Sequence, residues 1–299
     1  MIITPPSLES LREKFPELKN LQLLKIGGFK NVYRAEIKGK VEAFKVIKLP
    51  VLEQRETSID FRREAVGRIR REVDVLGKCP APELVKLGAI SLTYFNIEGM
   101  DYVAYSEEFL VGVDLADLIT KPNNFPPEQE LKTLFRCLLK VIKALWNMGY
   151  IHRDIKPLNV MKPPKSSRPF VSVDLGIAFS VRETALTYNP QERLPPATYR
   201  YMAPEMAYPD FRRDLDYRSD LYSAALTVFE YGAKAHPLAR DADNLLQTIS
   251  RVVREPAKPL KRFRSDLSDE FCETIDQLLK KKPALRPSNL DRLISMTEA

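Results

Sequence analysis

Cysteine is scarce in this chain: three among 299 residues, at 79, 137 and 272. Their number is odd and their spacing long, so no disulfide framework or metal-binding spacing emerges, and a reducing, intracellular setting is expected. Also missing is any unbroken apolar run near the roughly 18 residues that a membrane-spanning helix needs. The opening residues Met-Ile-Ile-Thr-Pro-Pro-Ser carry no basic segment of a secretory leader. These absences predict a soluble, cytoplasmic protein with no membrane partner. There is no internal repeat and no low-complexity tract. An apolar share of 44% beside a charged share of 29% lies near the globular average and leaves enough for a sizeable core.

The net charge of +7 is moderate, but arginines crowd one region, at 62, 63, 68, 70 and 71. Two readings stay open for this arginine-rich helix at 62–71. It is either a surface for nucleic acid or a solvated helix face. No aromatic interleaving or binding motif accompanies the charge, which favours the solvated face.

Residues 7–19 open with a serine cap and space Leu8, Leu11 and Phe15 helically, with Pro16 as a limit; residues 1–20 therefore form an N-terminal extension. Short alternating or β-branched runs at 21–26, 31–37 and 41–49 are separated by Gly27-Gly28 and Gly39, which predicts an antiparallel meander. From 58 to 77 the pattern is helical, with Phe61, Ala65, Ile69, Val73 and Leu76 in one stripe. Further strands are predicted at 84–92 and 101–109. Helices then dominate, at 115–120, 128–148, 220–231, 245–253 and 271–280. The result is an α+β chain with a small, antiparallel-sheet first lobe bearing one main helix (21–108) and a larger, mainly helical second lobe (109–299), and a cleft between them.

Three carboxylate-bearing motifs succeed one another in the second half. They are His152-Arg153-Asp154-Ile155-Lys156-Pro157-Leu158-Asn159, Asp174-Leu175-Gly176 after a strand-like run, and Ala203-Pro204-Glu205. In the first half, Val41-Glu42-Ala43-Phe44-Lys45 puts a lysine on a strand, upstream of a helix carrying Glu72. This ordered set closely resembles the Hanks-type protein serine/threonine kinases over residues 21–290. The resemblance implies a two-lobed kinase fold, ATP with a divalent ion, a protein substrate, and a role for each residue of the set.

Phosphoryl transfer to a protein hydroxyl needs a base, and Asp154 matches it. Lys156 matches the lysine aimed at the transferring phosphate of ATP. Asn159 and Asp174 match the metal positions, for Mg²⁺ with Mn²⁺ as the alternative ion. Lys45 matches the strand lysine that holds the nucleotide phosphates, and Glu72 its carboxylate partner. Glu64 is an alternative. Eight residues turn a helix about 80° past two full turns, so Glu64 and Glu72 cannot face one point equally. Glu72 is preferred because Glu72–Leu76 and then Leu84–Leu87 resemble the end of the family's helix and its next strand.

The glycine-rich loop departs from the family. Anchored on Val32, the pattern places glycines at 25, 27 and 30; this chain has Lys25, Gly27 and Lys30, with an extra Gly28. Ile26, Gly27, Gly28, Lys30, Val32 and Ala43 are the nucleotide-binding positions implied. Lys30 either reaches phosphate itself or points to solvent. Asp114 either binds the ribose or caps a helix.

Thr198 and Lys156 resemble serine/threonine rather than tyrosine specificity. Asp220 matches a residue that pins the catalytic loop, and Glu205 with Arg286 a buried ion pair. Ser180, Thr184, Thr187 and Tyr188 are either phosphorylation sites that order their loop through Arg153 or ordinary exposed hydroxyls. The rival functions are a pseudokinase, used as a nucleotide- or protein-binding module, and a kinase-like small-molecule phosphotransferase. Lys156, Thr198 and Ala203-Pro204-Glu205 weigh against the second.

Overall fold

The computed structural model describes residues 5–27, 30–49, 56–121, 124–164, 166–175, 179–180, 199–208, 215–240 and 242–298, with side chains omitted at 56–62, 64, 179 and 180. It divides into two compact units, residues 1–78 with 85–110, and 79–84 with 111–299.

The first unit is built on a five-stranded antiparallel sheet. Its strands are β1 (Lys19–Ile26), β2 (Lys30–Ile37), β3 (Lys40–Lys48), β4 (Thr93–Ile97) and β5 (Met100–Glu108), in the order β1-β2-β3-β5-β4. Two hairpins turn on two residues each. Lys38-Gly39 and Glu98-Gly99 all have positive φ, between 50° and 77°, the backbone that a tight right-twisting hairpin requires. Alternation along the strands gives the sheet two different faces. One carries Tyr33, Ala35, Phe44, Val46, Tyr102 and Ala104, all buried in a single apolar cluster.

Leu11, Phe15 and Leu18, within or just after helix α1 (Leu8–Lys14), are part of that cluster. The Phe15 ring meets Phe44 at 5.0 Å and Phe95 at 5.1 Å, both edge-on. The segment before the sheet thus completes the core of this unit rather than standing off from it. The long helix α2 (Glu56–Lys78) buries Ile69, Glu72, Val75 and Leu76. Of its arginines, Arg70 lies over the Tyr94 ring at 5.4 Å and donates to its hydroxyl at 2.8 Å.

One predicted strand is corrected. Residues 84–92 form no strand, only isolated bridges from Leu84 to Ser172 and from Leu87 to Glu107. The run bonds to β5 irregularly: Gly88 N–H donates to Ser106 O at 2.8 Å and Ser106 N–H to Ile90 O at 3.0 Å, and a Cβ on Gly88 would stand 2.2 Å from the Glu42 carboxylate and 2.5 Å from Ser106 Oγ. That carboxylate takes the amide of Ala89, the residue left between the two that bond the Ser106 backbone. The fourth strand is instead Thr93–Ile97, and the Glu98-Gly99 turn was the signal for it. The stretch Cys79–Leu84 belongs to the second unit, where Ser172 N–H donates to Glu83 O and Lys140 pairs with Glu83 at 3.3 Å.

In the second unit, helix α3 (Leu115–Ile119) precedes α4 (Glu128–Asn147), whose apolar face packs into the same core as α5 (Tyr217–Ala233). Helix α5 is buried along nearly its whole length, so it sits at the centre of that core. Helices α6 (Leu245–Arg254), α7 (Asp269–Leu278) and α8 (Leu290–Met296) come next, each started by a side-chain cap, Asn244, Ser268 and Asn289. Short strands β6 (Val113–Asp114), β8 (Val160–Lys162) and β9 (Val171–Ser172) form one small sheet, and β7 (Tyr150–Ile151) pairs with β10 (Phe179–Ser180). The segment from His152 to Asn159 runs between β7 and β8, anchored at both ends. Among the described residues no helix is long and apolar enough to cross a membrane.

Candidate active site

The loop from His152 to Asn159 is held by one buried carboxylate. Asp220, on the first turn of α5, accepts the amides of His152 at 2.7 Å and Arg153 at 2.8 Å. Arg153 has φ of 65°, a conformation disfavoured for a residue with a Cβ, and two converging hydrogen bonds hold it there. Burial pushes the Asp220 carboxyl up to about 7 despite both bonds.

His152 is fully buried and structural. Its Nδ1 accepts from the Asp154 amide at 3.3 Å, which leaves the ring proton on Nε2, facing Ser172 Oγ at 3.1 Å. Burial holds this imidazole down to about 4, against an ordinary 6.5. Because the folded value is depressed, the neutral ring's contribution is complete above pH 6.5 and is lost as pH falls toward 4. In urea denaturation the stability deficit of His152→Gln relative to the parent should therefore shrink by about 3 kcal/mol between pH 7.5 and 4. The raised Asp220 carboxyl acts in the opposite sense, but it is present in both proteins and cancels. A deficit independent of pH would show that His152 is not held neutral.

Asp154 is the meeting point of the loop. Lys156 Nζ lies 2.7 Å from both of its carboxylate oxygens, and Asn159 Nδ2 donates to Oδ2 at 2.8 Å and to the Asp154 carbonyl at 3.0 Å. The turn Pro157–Asn159 makes this reach short, since Asn159 N–H closes back on Lys156 O at 2.9 Å. Burial raises the Asp154 carboxyl first; Lys156 then opposes it and the negative charge of Asp174 adds to it. Asp174 is brought alongside because Val173 N–H donates to Asn159 O at 2.9 Å, and it too takes a positive φ, 69°. Among the described residues no group of three or more His, Cys, Asp or Glu is arranged around a metal. Asp174 and Asn159 are a sparser oxygen pair than that.

In the first unit, register puts Val32 opposite Lys45, Lys45 opposite Tyr105, and Ala43 opposite Glu107. Directly opposite residues share a face, so Lys30, Val32, Ala43, Lys45, Tyr105 and Glu107 line the second face of the sheet. The carboxylate partner expected for Lys45 was Glu72. In the structure Lys45 Nζ instead donates to Glu107 Oε1 at 2.5 Å, with both groups buried. Glu72 Oε1 accepts from the Tyr105 hydroxyl at 3.0 Å and lies 3.7 Å from Lys30 Nζ. Glu107 was missed, although strand alternation from Tyr105 would have put it on the lysine's face. The alternative Glu64 lies outside the described side chains.

Gly27 donates its amide to Lys30 O at 3.0 Å, and a Cβ there would stand 2.6 Å from that oxygen. Only glycine fits this turn. Ile26, at the end of β1 opposite Asn31, is 54% exposed. Asp114 caps α3 by accepting the Asp117 amide at 2.9 Å. Gly28, Thr184, Thr187, Tyr188 and Thr198 lie outside the described residues, and Ser180 is described only in its backbone.

A family model described as Protein kinase domain matches residues 18–297. The chain belongs to the protein kinase domain family. It is 29% identical over 275 residues to Serine/threonine-protein kinase pkn3 of Myxococcus xanthus, which covers 89% of this chain and 46% of that protein. Against Serine/threonine-protein kinase PknD of Mycobacterium tuberculosis the identity is 28%, over 92% of this chain and 38% of that one. Mitogen-activated protein kinase kinase 3 of Arabidopsis thaliana is 28% identical over 79% of this chain and 42% of its own. The chain spans less than half the length of these curated relatives. Its five-stranded first unit and helical second unit are the protein kinase fold.

Proposed function

We propose that this chain is an ATP-dependent protein serine/threonine kinase that transfers the γ-phosphoryl group to a serine or threonine hydroxyl of a protein substrate, and phosphorylates itself as well. The observation that carries this reading is the convergence of Lys156 and Asn159 on the Asp154 carboxylate. A carboxylate has about four acceptor positions. Lys156 and Asn159 together occupy three here, which leaves one for a substrate hydroxyl. The hydroxyl oxygen bonds to the γ-phosphorus, the bond to the β–γ bridging oxygen breaks, and the hydroxyl proton passes to Asp154. ADP and a phosphoprotein leave.

Mg²⁺ or Mn²⁺ fits the donors present. Asn159 spends its Nδ2 on Asp154, so that its Oδ1 is the atom it can offer a cation, and Asp174 brings a carboxylate whose charge is already felt at Asp154. Hard cations of this kind take oxygen ligands and keep several waters, so two protein ligands suffice. The bound ion supplies charge neutralisation on the phosphates. Lys156 keeps Asp154 aimed while presenting its own positive charge to the transferring group. Lys45, with Lys30, carries the charge for the remaining phosphates, and Ile26, Gly27, Val32 and Ala43 form the surrounding wall. Asp114 combines its helix-capping role with a ribose contact.

The test is incubation with γ-labelled ATP and Mg²⁺, alone and with a generic basic protein. Label on serine and threonine, absent without the divalent ion, is expected. ATP binding with no transfer under either condition would replace this reading with a pseudokinase.

A further inference from the structure

Against the second face of the first unit's sheet, Lys30, Lys45 and Glu107 of the strands meet Glu72 of α2, and their pairing is not the one the motif order suggests. Lys45 is 5% exposed and Glu107 2%, and they meet at 2.5 Å. A buried ammonium without a counter-charge is costly, and Glu107 is the carboxylate in contact. Glu72 is 4% exposed and is engaged elsewhere, by the Tyr105 hydroxyl and the Lys30 ammonium. Tyr105 touches both pairs: its ring lies under Lys45 Nζ at 5.6 Å and its hydroxyl fixes Glu72, while Glu107 also feels the charges of Lys30 and Glu72 at longer range. Lys30, with its side chain 19% exposed, is the more accessible lysine and sits directly after the glycine turn.

We propose that Glu107 is the positioning residue of Lys45 and that Glu72 positions Lys30, so that two lysines, each held by its own carboxylate, face the nucleotide phosphates. The proposal rests on the reading of these lysines as phosphate-binding. It accounts for the reduced glycine loop. Where the Cα atoms at 25 and 30 carry lysine side chains in place of the family pattern's glycines, so that the backbone can no longer approach phosphate as closely, a second ammonium supplies the lost attraction. Strand register makes the exchange possible, because Glu107 stands opposite Ala43, two residues along the strand from Lys45 and on the same face.

The experiment is a set of double-mutant cycles on the full chain with Mg²⁺-ATP as the probe. The pairs are Lys45→Met with Glu107→Gln, Lys30→Met with Glu72→Gln, and Lys45→Met with Glu72→Gln. In the first two cycles the double variant should lie within about threefold of its worse single variant, whereas in the third the losses should multiply. Glu107→Gln should also raise KM for ATP at least about fivefold. A defect of packing alone lowers the active fraction and leaves KM unchanged. Multiplying losses for Lys45 with Glu107, together with coupling of Lys45 to Glu72, overturn the proposal. So does a Lys30→Met variant that binds ATP as tightly as the parent.

If the parent binds ATP but transfers nothing, the kinase reading fails, and the same cycles read as ATP dissociation constants still decide the pairing. Where a variant binds no nucleotide, the cycles are read as urea midpoints. A Lys45→Met, Glu107→Gln protein as stable as Lys45→Met alone then supports the pairing, and an additive loss overturns it.

Discussion

Asp154→Asn lowers the rate of phosphoryl transfer by about two to four orders of magnitude, the range a positioned general base contributes, and leaves KM for ATP within a few-fold. The asparagine has the same shape. It keeps an oxygen for Lys156 but turns an amide group toward the position where the substrate proton would go, and that group cannot accept it. The geometry predicts where the loss falls. Asp154 is bonded by Lys156 and Asn159, and the proposed hold of Lys45 and Lys30 on ATP does not pass through it, so binding of the nucleotide is spared and the loss appears in kcat. Radiolabel transfer at saturating ATP, beside an independent measurement of ATP affinity, separates the two parameters. A loss confined to KM, or none at all, would remove Asp154 from the role of base.

Arg286→Met lowers the unfolding free energy by about 3–5 kcal/mol, the cost of stripping one partner from a buried ion pair. All five N–H groups of this guanidinium are used. Nη1 and Nη2 grip the Glu205 carboxylate at 2.7 and 2.8 Å, and the other three bonds go to the carbonyls of Arg218, Lys280 and Lys281. Its face also lies 4.8 Å from the centre of the Tyr222 ring, and its side chain is wholly buried. Arg286→Lys should cost nearly as much, because an ammonium cannot reproduce a planar fork of five donors. Glu205→Met combined with Arg286→Met should recover part of the loss, since the remaining charge is then removed as well. Urea denaturation of the four proteins checks this, and a cost below about 1 kcal/mol for Arg286→Met would show that the pair contributes little.

The parts of the site that were legible in the sequence are those confined to a few consecutive residues. Between His152 and Asn159 a single turn connects Asp154, Lys156 and Asn159. The motif was therefore recognisable through its resemblance to the family, while the convergence of Lys156 and Asn159 on Asp154 came from the structure. Asp220 and the Glu205–Arg286 pair are long-range, and they were read through the family pattern; the structure supplies their bonds. The hairpin at Glu98-Gly99 was present in the sequence as a turn signal and was overlooked. The run at 84–92 looked like a strand because it is apolar. It does bond to the fifth strand, but irregularly: Gly88 and Ile90 both bond to the backbone of Ser106, and the Glu42 carboxylate takes the Ala89 amide between them.

By itself, the sequence determined the family, through ordered motifs that resemble protein kinases, and with it the fold; strand periodicity and turns, which depend on neighbours a few positions away, added the antiparallel meander of the first unit. Only the tertiary structure decided which charges pair. Lys45 and Glu107 are 62 residues apart, and Lys45 and Glu72 are nearer in the chain, yet the contact goes to Glu107. Sheet register brings Glu107 to the face of Lys45, and the Tyr105 hydroxyl holds Glu72 beside Lys30. The same applies to Leu11, Phe15 and Leu18, which looked like an extension and proved to be core, because an apolar stripe shows that something must cover it but not which surface does so.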